Sequence, residues 1–298
     1  MSTRALRPQD LDAVVALDER LSGRRRRAYF ERRLAAARAD AERHLQLGVE
    51  HDGTLVGFML GRALEGEFGR VEPQLRLEAL GVAAPSQGRG LGRALAAAFE
   101  QEAQRRGLRE MRTTALWREH ALLAFLDRSG FSLAPVHVLQ GAPREEADGE
   151  ARDACEVSLM QESHIEGIAR IDRRHTGRDR RGFLCRALRE ALDDSAVRIS
   201  HVACAEGTVA GYLMARMDYG DYGRAEPAAV IDTIGVDPMR PRQGIGRALL
   251  SQLLLNLRAL RVETVETAVA PANLDLLGFF NRAGFVPAER LSLRKAIG

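Results

Sequence analysis

Apolar residues recur at helical spacing directly after two glycine-rich segments, one in each half of the chain. In the N-terminal half the recurring positions are Leu91, Leu95, Ala98 and Phe99. In the C-terminal half they are Leu249, Leu250, Leu253, Leu254, Leu257 and Leu260. Because residues three and four apart share one face of an α-helix, each segment predicts a long amphipathic helix that packs on a core. Gly107 is the predicted stop of the first helix.

The rest of the N-terminal half alternates between strand-like and helix-like patterns. Strands are predicted at Thr3–Arg7, Leu75–Val82 and Met111–Ala115, with a hairpin formed by His44–Glu50 and Thr54–Arg62. Helices are predicted at Asp10–Glu19, Ala28–Ala41 and Leu122–Arg128, and a final hairpin begins at Phe131. This order of elements predicts an α/β fold in which helices cover one mixed sheet.

The two glycine-rich segments are copies of one another. Gln87-Gly88-Arg89-Gly90-Leu91-Gly92-Arg93 returns as Pro241-Arg242-Gln243-Gly244-Ile245-Gly246-Arg247, with Gly244 lying 154 positions after Gly90. The same offset aligns glycines, arginines and prolines along nearly the whole of the 298-residue chain, with no insertion. A self-match of this kind predicts a duplicated domain. We place the domains at residues 1–145 and 153–298, with a linker over 141–154.

Composition adds limits to the function. The formal net charge is only +3, and arginines alternate with acids as on solvated helix faces, so no nucleic-acid partner is expected. No apolar run approaches the roughly 18 residues of a membrane span. Three cysteines without metal-like spacing favour a reducing compartment and no metal site. We therefore expect a cytoplasmic protein with no membrane partner.

A glycine-rich turn that opens a helix can hold phosphate oxygens, because its backbone N–H groups are available and the helix dipole favours negative charge. A Rossmann dinucleotide site is the obvious rival. It requires a third glycine where Leu95 and Leu249 stand, and it follows the first strand of its unit, whereas these turns lie in mid-domain. The Rossmann interpretation therefore fails. A tight turn that packs on the sheet without any ligand stays open as an alternative.

Both copies resemble the GNAT N-acetyltransferase superfamily. The resemblance rests on an ordered series: a strand ending in Gly-Val (Val82, Val236), a nearby proline, Gln/Arg-x-x-Gly-x-Gly, a long helix, and a short helix closed by Gly-Phe. Because the series occurs twice and covers nearly the whole chain, the chain is identified as a tandem GNAT protein. The resemblance implies two GNAT domains and acetyl-CoA, or another acyl-CoA, as the cofactor.

The family's acyl-CoA pocket implies roles for the matching positions. Backbone amides of the turns would bind the CoA pyrophosphate, with glycine required at positions 90 and 92 so that phosphates can approach the backbone. The ends of the central strands would hydrogen-bond the pantetheine arm. The implied positions in the first copy are Leu80, Val82, Gln87, Gly88, Arg89, Gly90, Leu91, Gly92 and Arg93. Those in the second copy are Ile234, Val236, Arg242, Gln243, Gly244, Ile245, Gly246, Arg247, Asn273 and Phe280.

Acyl transfer to an amine needs a proton acceptor for the amine, polarisation of the thioester carbonyl, and a proton for the leaving thiolate. The resemblance assigns the first role to Glu78 and Asp232 on the central strands. The alternative is a structural carboxylate paired with a neighbouring arginine such as Arg76. A backbone N–H near Leu80 or Ile234 would polarise the carbonyl.

The expected proton donor is missing from both copies. Family members commonly carry a tyrosine on the last helix, and Leu126 and Phe280 hold that position here, although Asn273 is kept before it in the second copy. Tyr219 and Tyr222, in the loop before the second central strand, are candidates to replace it. Water can also protonate a thiolate, so the missing tyrosine does not exclude catalysis.

An arginine-rich segment is also repeated, at Ser22–Arg27 and Thr176–Arg181. Its guanidinium groups could hold a carboxylate or phosphate of the acceptor, pair with Asp18 and Asp172, or form a contact between the copies.

The functional expectation is an acyl-CoA-dependent N-acyltransferase that moves acetyl to an amine of a small molecule or a peptide. Catalysis is expected in the C-terminal copy, which keeps more of the family pattern. The N-terminal copy would bind CoA or serve as a structural partner, and the two domains would pack on each other. The alternative is a tandem module that binds CoA or acyl-CoA without turnover, as a sensor or scaffold.

Overall fold

A computed structural model describes residues 2–64, 73–143, 155–193, 198–218 and 227–298. Within these ranges the chain forms fourteen strands and eight α-helices. Along the same ranges, no helix combines the length and the apolar character needed to cross a membrane.

The described part of the N-terminal half contributes seven strands and four helices. The strands are β1 (Ser2–Ala5), β2 (His44–His51), β3 (Thr54–Leu64), β4 (Gln74–Val82), β5 (Glu110–Leu116), β6 (Ser132–Leu133) and β7 (His137–Gly141). The helices are α1 (Leu11–Ser22), α2 (Arg27–Ala39), α3 (Leu91–Arg105) and α4 (His120–Arg128). The predicted elements agree with these to within a few residues at each end, since local periodicity and glycine stops set them.

The described part of the C-terminal half repeats the series. The strands are β8 (Glu156–Leu159), β9 (His201–Ala205), β10 (Thr208–Asp218), β11 (Ala228–Val236), β12 (Thr264–Val269), β13 (Val286–Pro287) and β14 (Arg290–Ala296). The helices are α5 (Ile165–Thr176), α6 (Arg181–Asp193), α7 (Ile245–Ala259) and α8 (Leu274–Arg282).

These strands form two mixed sheets of seven. The first has the order β1-β2-β3-β4-β5-β14-β6, and the second has the order β13-β7-β12-β11-β10-β9-β8. Neighbouring strands are antiparallel except for β4 with β5 and β11 with β12. A parallel pair needs a crossover connection, and α3 and α7 supply it. The predicted α/β architecture, with one mixed sheet in each copy, is confirmed.

The last strands of the two halves are exchanged. β14 pairs along its whole length with β5 in the first sheet, and β7 pairs along its whole length with β12 in the second. The prediction of a final hairpin beginning at Phe131 is therefore wrong, because β6 and β7 lie in different sheets. Strand periodicity specifies which face is buried and not which strand is the partner. The division into domains at 1–145 and 153–298 stays a prediction. Each sheet includes one strand from the other side of this boundary.

Each sheet buries an apolar cluster beneath its long helix. Leu95 of α3 and Leu253 of α7, at the centres of the two predicted stripes, are fully buried. The exchanged strands join these cores: Leu293 of β14 belongs to the first cluster, and Leu139 of β7 belongs to the second. The predicted stripes are thus the core-facing sides of α3 and α7. Leu260 is an exception, because it follows the end of α7 and is 42% exposed.

Candidate active site

The two parallel strand pairs separate towards one end, and this opening is the base of each candidate site. β4 and β5 pair over two residues and β11 and β12 pair over four, although all four strands continue further. At the separation the Thr113 hydroxyl donates to Leu77 O at 3.3 Å, and the Thr267 hydroxyl donates to Ile231 O at 3.0 Å.

The glycine turn lies beyond this opening and begins the long helix. Gly88, Gly90 and Gly244 have φ angles of 76°, 77° and 73°, a left-handed conformation that favours glycine. A Cβ at any of these three glycines would have no other atom within 4 Å, so the space over each turn is open. Gly90 and Gly244 are the N-caps of α3 and α7, and the first N–H groups of a helix have no partner within it. This geometry suits an anionic group.

Gly92 and Gly246 serve helix packing. A Cβ on Gly92 would lie 3.1 Å from Phe125, and one on Gly246 would lie 3.4 Å from Phe279. These phenylalanines belong to α4 and α8, so glycine lets each short helix approach the first turn of the long one. The sequence suggested phosphate access as the reason for glycine at position 92, whereas the structure gives close packing as the reason.

The second turn places a residue other than glycine in left-handed backbone. Arg242 has φ 58° at the position that Gly88 holds in the first copy. This conformation costs an L-residue about 1–2 kcal/mol. The arginine side chain is kept there despite that cost, and it lines the cavity described below.

Arg242→Gly is expected to raise the free energy of unfolding by roughly 0.5–1 kcal/mol. Relief of the left-handed backbone exceeds the entropy that glycine adds to the unfolded chain. The matched change Gly88→Arg is expected to lower the same quantity by a similar amount, and urea denaturation measures both. A less stable Arg242→Gly protein would show that the guanidinium makes contacts that outweigh the strain.

A cavity of about 960 Å³ surrounds the second turn, between α7 and α8. Its lining includes the four arginines Arg240, Arg242, Arg247 and Arg282. Guanidinium groups match phosphate oxygens in shape and charge. The cavity therefore combines helix N-terminal amides with cations, which is the donor set that a pyrophosphate requires.

A side chain bonds the carbonyl at the end of each central strand. Val236 O accepts a hydrogen bond from His175 Nε2 at 2.6 Å, and Val82 O accepts one from Gln87 Nε2 at 2.9 Å. They lie at the strand ends that the resemblance assigns to the pantetheine arm. A carbonyl oxygen has two lone pairs, so a ligand that uses one of them either shares it with His175 or Gln87 or displaces that side chain.

A second cavity lies at the strand opening of each copy, bordered by α1 or by α5. Its volume is about 590 Å³ in the C-terminal copy and about 330 Å³ in the N-terminal copy. Every residue that lines the smaller cavity has its counterpart, 154 positions later, in the larger one. In the C-terminal copy this cavity and the turn cavity share Val236, Gly246 and Phe279 in their linings, so the two cavities adjoin one another.

Glu78 and Asp232 lie in the walls of these cavities, each at a β-bulge. The register of β4 with β3 skips Glu78, and that of β11 with β10 skips Asp232. Glu78 is 1% exposed, and its carboxylate lies 3.3 Å from Arg33 Nε and 3.2 Å from Arg62 Nε. Asp232 is 6% exposed and lies 3.1 Å from Arg216 Nε. Arginine pairing, which the sequence offered as the alternative to a basic role, is present in both copies.

Glu78 and Asp232 differ in the residue that the neighbouring helix, α2 or α6, has at one matching position. Arg33 of α2 reaches Glu78, whereas the matching position of α6 is Ala187. Position 187 therefore supplies no guanidinium in the second copy. The assignment of Glu78 and Asp232 as proton acceptors stays a prediction.

The usual tyrosine position is filled by core side chains. Leu126 and Phe280 are each 1% exposed, and the Phe280 ring packs on Phe279 and Phe285 with centroid distances of 5.2 and 4.9 Å. Phe280 still borders the larger cavity. Position 280 thus belongs to a buried aromatic core and carries no hydroxyl.

Asn273 has a structural role at the start of α8. Its Oδ1 accepts a hydrogen bond from Leu276 N at 3.2 Å, which caps the helix, and the residue also lines the larger cavity. Tyr219 and Tyr222 lie outside the described residues.

The repeated arginine segment forms buried ion pairs. Arg26 Nε donates to Asp18 Oδ2 at 2.9 Å, and Arg180 Nε lies 3.2 Å from Asp172 Oδ2. The sequence offered this pairing as one of three alternatives. These arginines hold the end of α1 or α5 to the segment that follows it.

One polar group of the larger cavity was not among the predicted candidates. The Tyr212 hydroxyl donates to Asp172 Oδ1 at 2.7 Å and lies 3.4 Å from Thr233 Oγ1. The first copy has Phe58 and Ala79 at the matching positions. Comparison of the two copies position by position would have found this difference, because both hydroxyls occur in the second copy alone.

Comparison with known protein families identifies the class of protein to which this fold belongs. The model of the acetyltransferase (GNAT) family matches residues 12–131 and 166–285, once in each copy. The chain therefore belongs to the acetyltransferase (GNAT) family, and the predicted resemblance is confirmed. At the level of the family, the chain is of the N-acetyltransferase type.

Similarity to individual proteins is more limited. Mycothiol acetyltransferase of Propionibacterium freudenreichii subsp. shermanii is 37% identical over 79 residues, which are 26% of this chain and 24% of that protein. The match thus spans about a quarter of the curated relative.

Solved structures share the fold over most of the chain. The GCN5-related glucosamine N-acetyltransferase region of a fungal multi-domain GH3 β-N-acetylglucosaminidase has a TM-score of 0.69 at 16% identity, over 98% of this chain and 38% of that one. A GCN5-related N-acetyltransferase from Sphaerobacter thermophilus has a TM-score of 0.63 at 18% identity, over 99% and 95%. A tandem GNAT protein from the clavulanic acid biosynthesis pathway has a TM-score of 0.57 at 18% identity, over 86% and 83%. At these identities the likeness is one of fold.

Proposed function

We propose that the C-terminal copy transfers the acetyl group of acetyl-CoA to an amine of a small molecule or a peptide. The observation that carries the proposal is the pair of adjoining cavities in this copy. The arginine-lined cavity surrounds the turn that begins α7, and the other cavity is lined by Asp232, Asp172 and Tyr212. The first cavity suits a phosphate-bearing carrier, and the second presents polar groups to an acceptor.

The residues of the turn fit the cofactor. Acetyl-CoA would supply the acetyl group as an activated thioester. The N–H groups from Gly244 onward and the dipole of α7 would hold its pyrophosphate, with Arg242 and Arg247 beside them. The strand end at Ile234 and Val236 would bind the pantetheine arm. Asp232 would accept the proton of the incoming amine, directly or through water.

We propose a different role for the N-terminal copy, namely binding CoA without turnover. Its turn keeps the left-handed glycines Gly88 and Gly90. Its second cavity is smaller, and Glu78 lies there between Arg33 and Arg62. The exchanged strands support the further expectation that the two copies pack on each other.

A second candidate function is CoA binding without turnover in both copies. The observation that favours it is the core location of Leu126 and Phe280, which leaves neither copy with a tyrosine at the position that the family uses.

Release of thiol from acetyl-CoA across a panel of primary amines tests the two candidates. Asp232→Asn is expected to lower kcat/KM on the order of 100-fold, since a positioned general base contributes about 10²–10⁴-fold. Glu78→Gln, the matched change in the first copy, is expected to leave kcat/KM within about twofold, because we assign it no proton transfer. Unchanged turnover in Asp232→Asn would remove that residue from the mechanism. No thiol release with any amine would favour the binding function.

A further inference from the structure

The larger cavity is lined by Tyr212 and by two polar side chains that its hydroxyl contacts, Asp172 and Thr233, and we call these three the tyrosine cluster. Tyr212 comes from β10, Asp172 from α5 and Thr233 from β11. The cluster joins two strands and a helix at one point of the cavity wall. In the N-terminal cavity the carboxylate is kept as Asp18, whereas both hydroxyls are replaced by apolar side chains.

The Tyr212 ring lies directly against the central strand. Tyr212 is opposite Gly235 in the register of β10 and β11. A Cβ on Gly235 would lie 2.6 Å from Tyr212 Cε1 and 3.2 Å from its hydroxyl oxygen, so the ring fills the space that glycine leaves. The hydroxyl is therefore held beside the backbone between Ile234 and Val236. This segment is the one that the proposed function assigns to the acyl carrier.

The proton of the Tyr212 hydroxyl is directed at Asp172. The Asp172 carboxylate pairs with Arg180, with both side chains 2% exposed, so Asp172 accepts and Tyr212 donates, at 2.7 Å. Burial, together with the neighbouring carboxylate, raises the pKa of Tyr212 above its ordinary value. Tyr212 is therefore a weaker acid than an ordinary tyrosine and a poorer replacement for the missing proton donor. Although Tyr212 is only 1% exposed, it lines the cavity, and its oxygen keeps a lone pair there.

We propose that the Tyr212 oxygen, together with Thr233 Oγ1, accepts a hydrogen bond from the N–H of the acceptor amine and so positions the acceptor in the C-terminal cavity. This inference rests on the proposed function, because it requires an amine acceptor in this cavity. It adds a substrate-positioning role for two side chains that the family resemblance does not assign.

The charges of the cavity wall specify the class of acceptor. Its lining carries three carboxylates, on Asp172, Asp232 and Asp275, and one guanidinium, on Arg180. Arg180 pairs with Asp172, and Arg216 pairs with Asp232 from outside the lining, so two of the three carboxylates have a cationic partner. The remaining excess of carboxylate favours an ammonium group over a carboxylate or phosphate. We therefore expect an amine acceptor that carries no anionic group next to the reacting nitrogen.

The N-terminal copy shows that the fold tolerates the loss of both hydroxyls. Phe58 lies over Gly81 as Tyr212 lies over Gly235, with a Cβ on Gly81 placed 3.0 Å from the Phe58 ring. Tyr212→Phe and Thr233→Ala therefore reproduce a pair of residues that this fold already packs. The two variants remove hydrogen-bonding atoms and leave the shape of the wall nearly unchanged.

The test is steady-state kinetics on the full chain, with a primary amine from the panel and acetyl-CoA varied separately. Tyr212→Phe is expected to raise the KM for the amine roughly tenfold, in line with the loss of one hydrogen bond to a bound group. Thr233→Ala is expected to raise the KM for the amine about threefold. The Kd of acetyl-CoA and kcat are expected to stay within about twofold. Phe58→Tyr, the reverse change in the first copy, is expected to alter none of these quantities.

Two results would overturn the inference. An unchanged KM for the amine in both variants would show that the hydroxyls do not contact the acceptor. A fall in kcat with both KM values unchanged, accompanied by loss of the alkaline limb of the pH profile, would make Tyr212 a proton donor. Gly244→Glu separates this failure from failure of the proposed function. If that variant keeps full turnover, chemistry does not occur in the C-terminal copy; if it loses turnover while Tyr212→Phe keeps its KM, only the positioning role fails.

Discussion

Gly244→Glu is expected to abolish acetyl-CoA-dependent turnover, whereas Gly90→Glu is expected to leave turnover intact. No atom lies within 4 Å of a Cβ at either position, so the protein can fold with the new side chain at a cost of about 1–2 kcal/mol from the left-handed backbone. The added carboxylate then lies where we place the pyrophosphate. Two unit charges about 5 Å apart repel by about 3 kcal/mol at an effective dielectric constant of about 20. This repulsion raises the Kd of acetyl-CoA at the substituted turn by roughly 100-fold.

Gly244→Ala is the matched control for this experiment, because it imposes the same backbone strain without the charge. Calorimetry with acetyl-CoA should show that Gly244→Glu loses the binding event of the C-terminal copy and keeps that of the N-terminal copy, whereas Gly244→Ala keeps both. Since both turns have the same geometry, Gly90→Glu should remove one of two binding events and keep the thiol release. Wild-type affinity at both sites in both glutamate variants would mean that the turns do not hold phosphate.

Truncation after Ala288 is expected to unfold the N-terminal half, although every residue of that half remains. The removed segment includes β14, which pairs with β5 along its whole length. It also removes Leu293 and Ile297 from the first core, where they are 6% and 8% exposed. Burial of such side chains contributes about 1.5–3 kcal/mol each, and a whole domain is stable by only about 5–15 kcal/mol. Hydrogen exchange measured by mass spectrometry should show loss of protection in β5 and α3.

Two point variants test the same prediction without shortening the chain. Leu293→Asp places a charge in the N-terminal core and should expose β5 in the same way, although residue 293 belongs to the C-terminal half of the chain. Arg294→Gln changes the next residue of the same strand, whose side chain is 47% exposed, and should have little effect. Full protection of β5 in the truncated protein would show that the first sheet is stable without its exchanged strand.

The elements and the duplication could be predicted because their signals are local. Apolar spacing placed α3 and α7, and their central residues Leu95 and Leu253 are fully buried. The turn could be predicted because left-handed backbone favours glycine, and Gly90 and Gly244 have that conformation in both copies. Because the pattern repeats at a constant offset, each element predicted in one copy could also be predicted at the matching residues of the other.

The contacts of the acidic residues could not be predicted, because their partners are distant in sequence. Glu78 meets Arg33 from a helix and Arg62 from a neighbouring strand, where sequence proximity suggested Arg76. Tyr212 was not singled out as a candidate, because Asp172 lies 40 positions away and the contact forms only when α5 packs on β10.

The sequence by itself determined that two GNAT units follow each other, which residues form their helices and strands, and where each glycine turn lies, since these depend on periodicity and backbone conformation. The tertiary structure alone decided that β7 and β14 change sheets, that Glu78 meets Arg33 and Arg62 while Asp232 meets Arg216, and that the Tyr212 hydroxyl meets Asp172. The physical reason is the same in each case. Strand pairing and ion pairing join groups far apart in the chain, and their free energy depends on which surfaces are brought together when the whole chain folds.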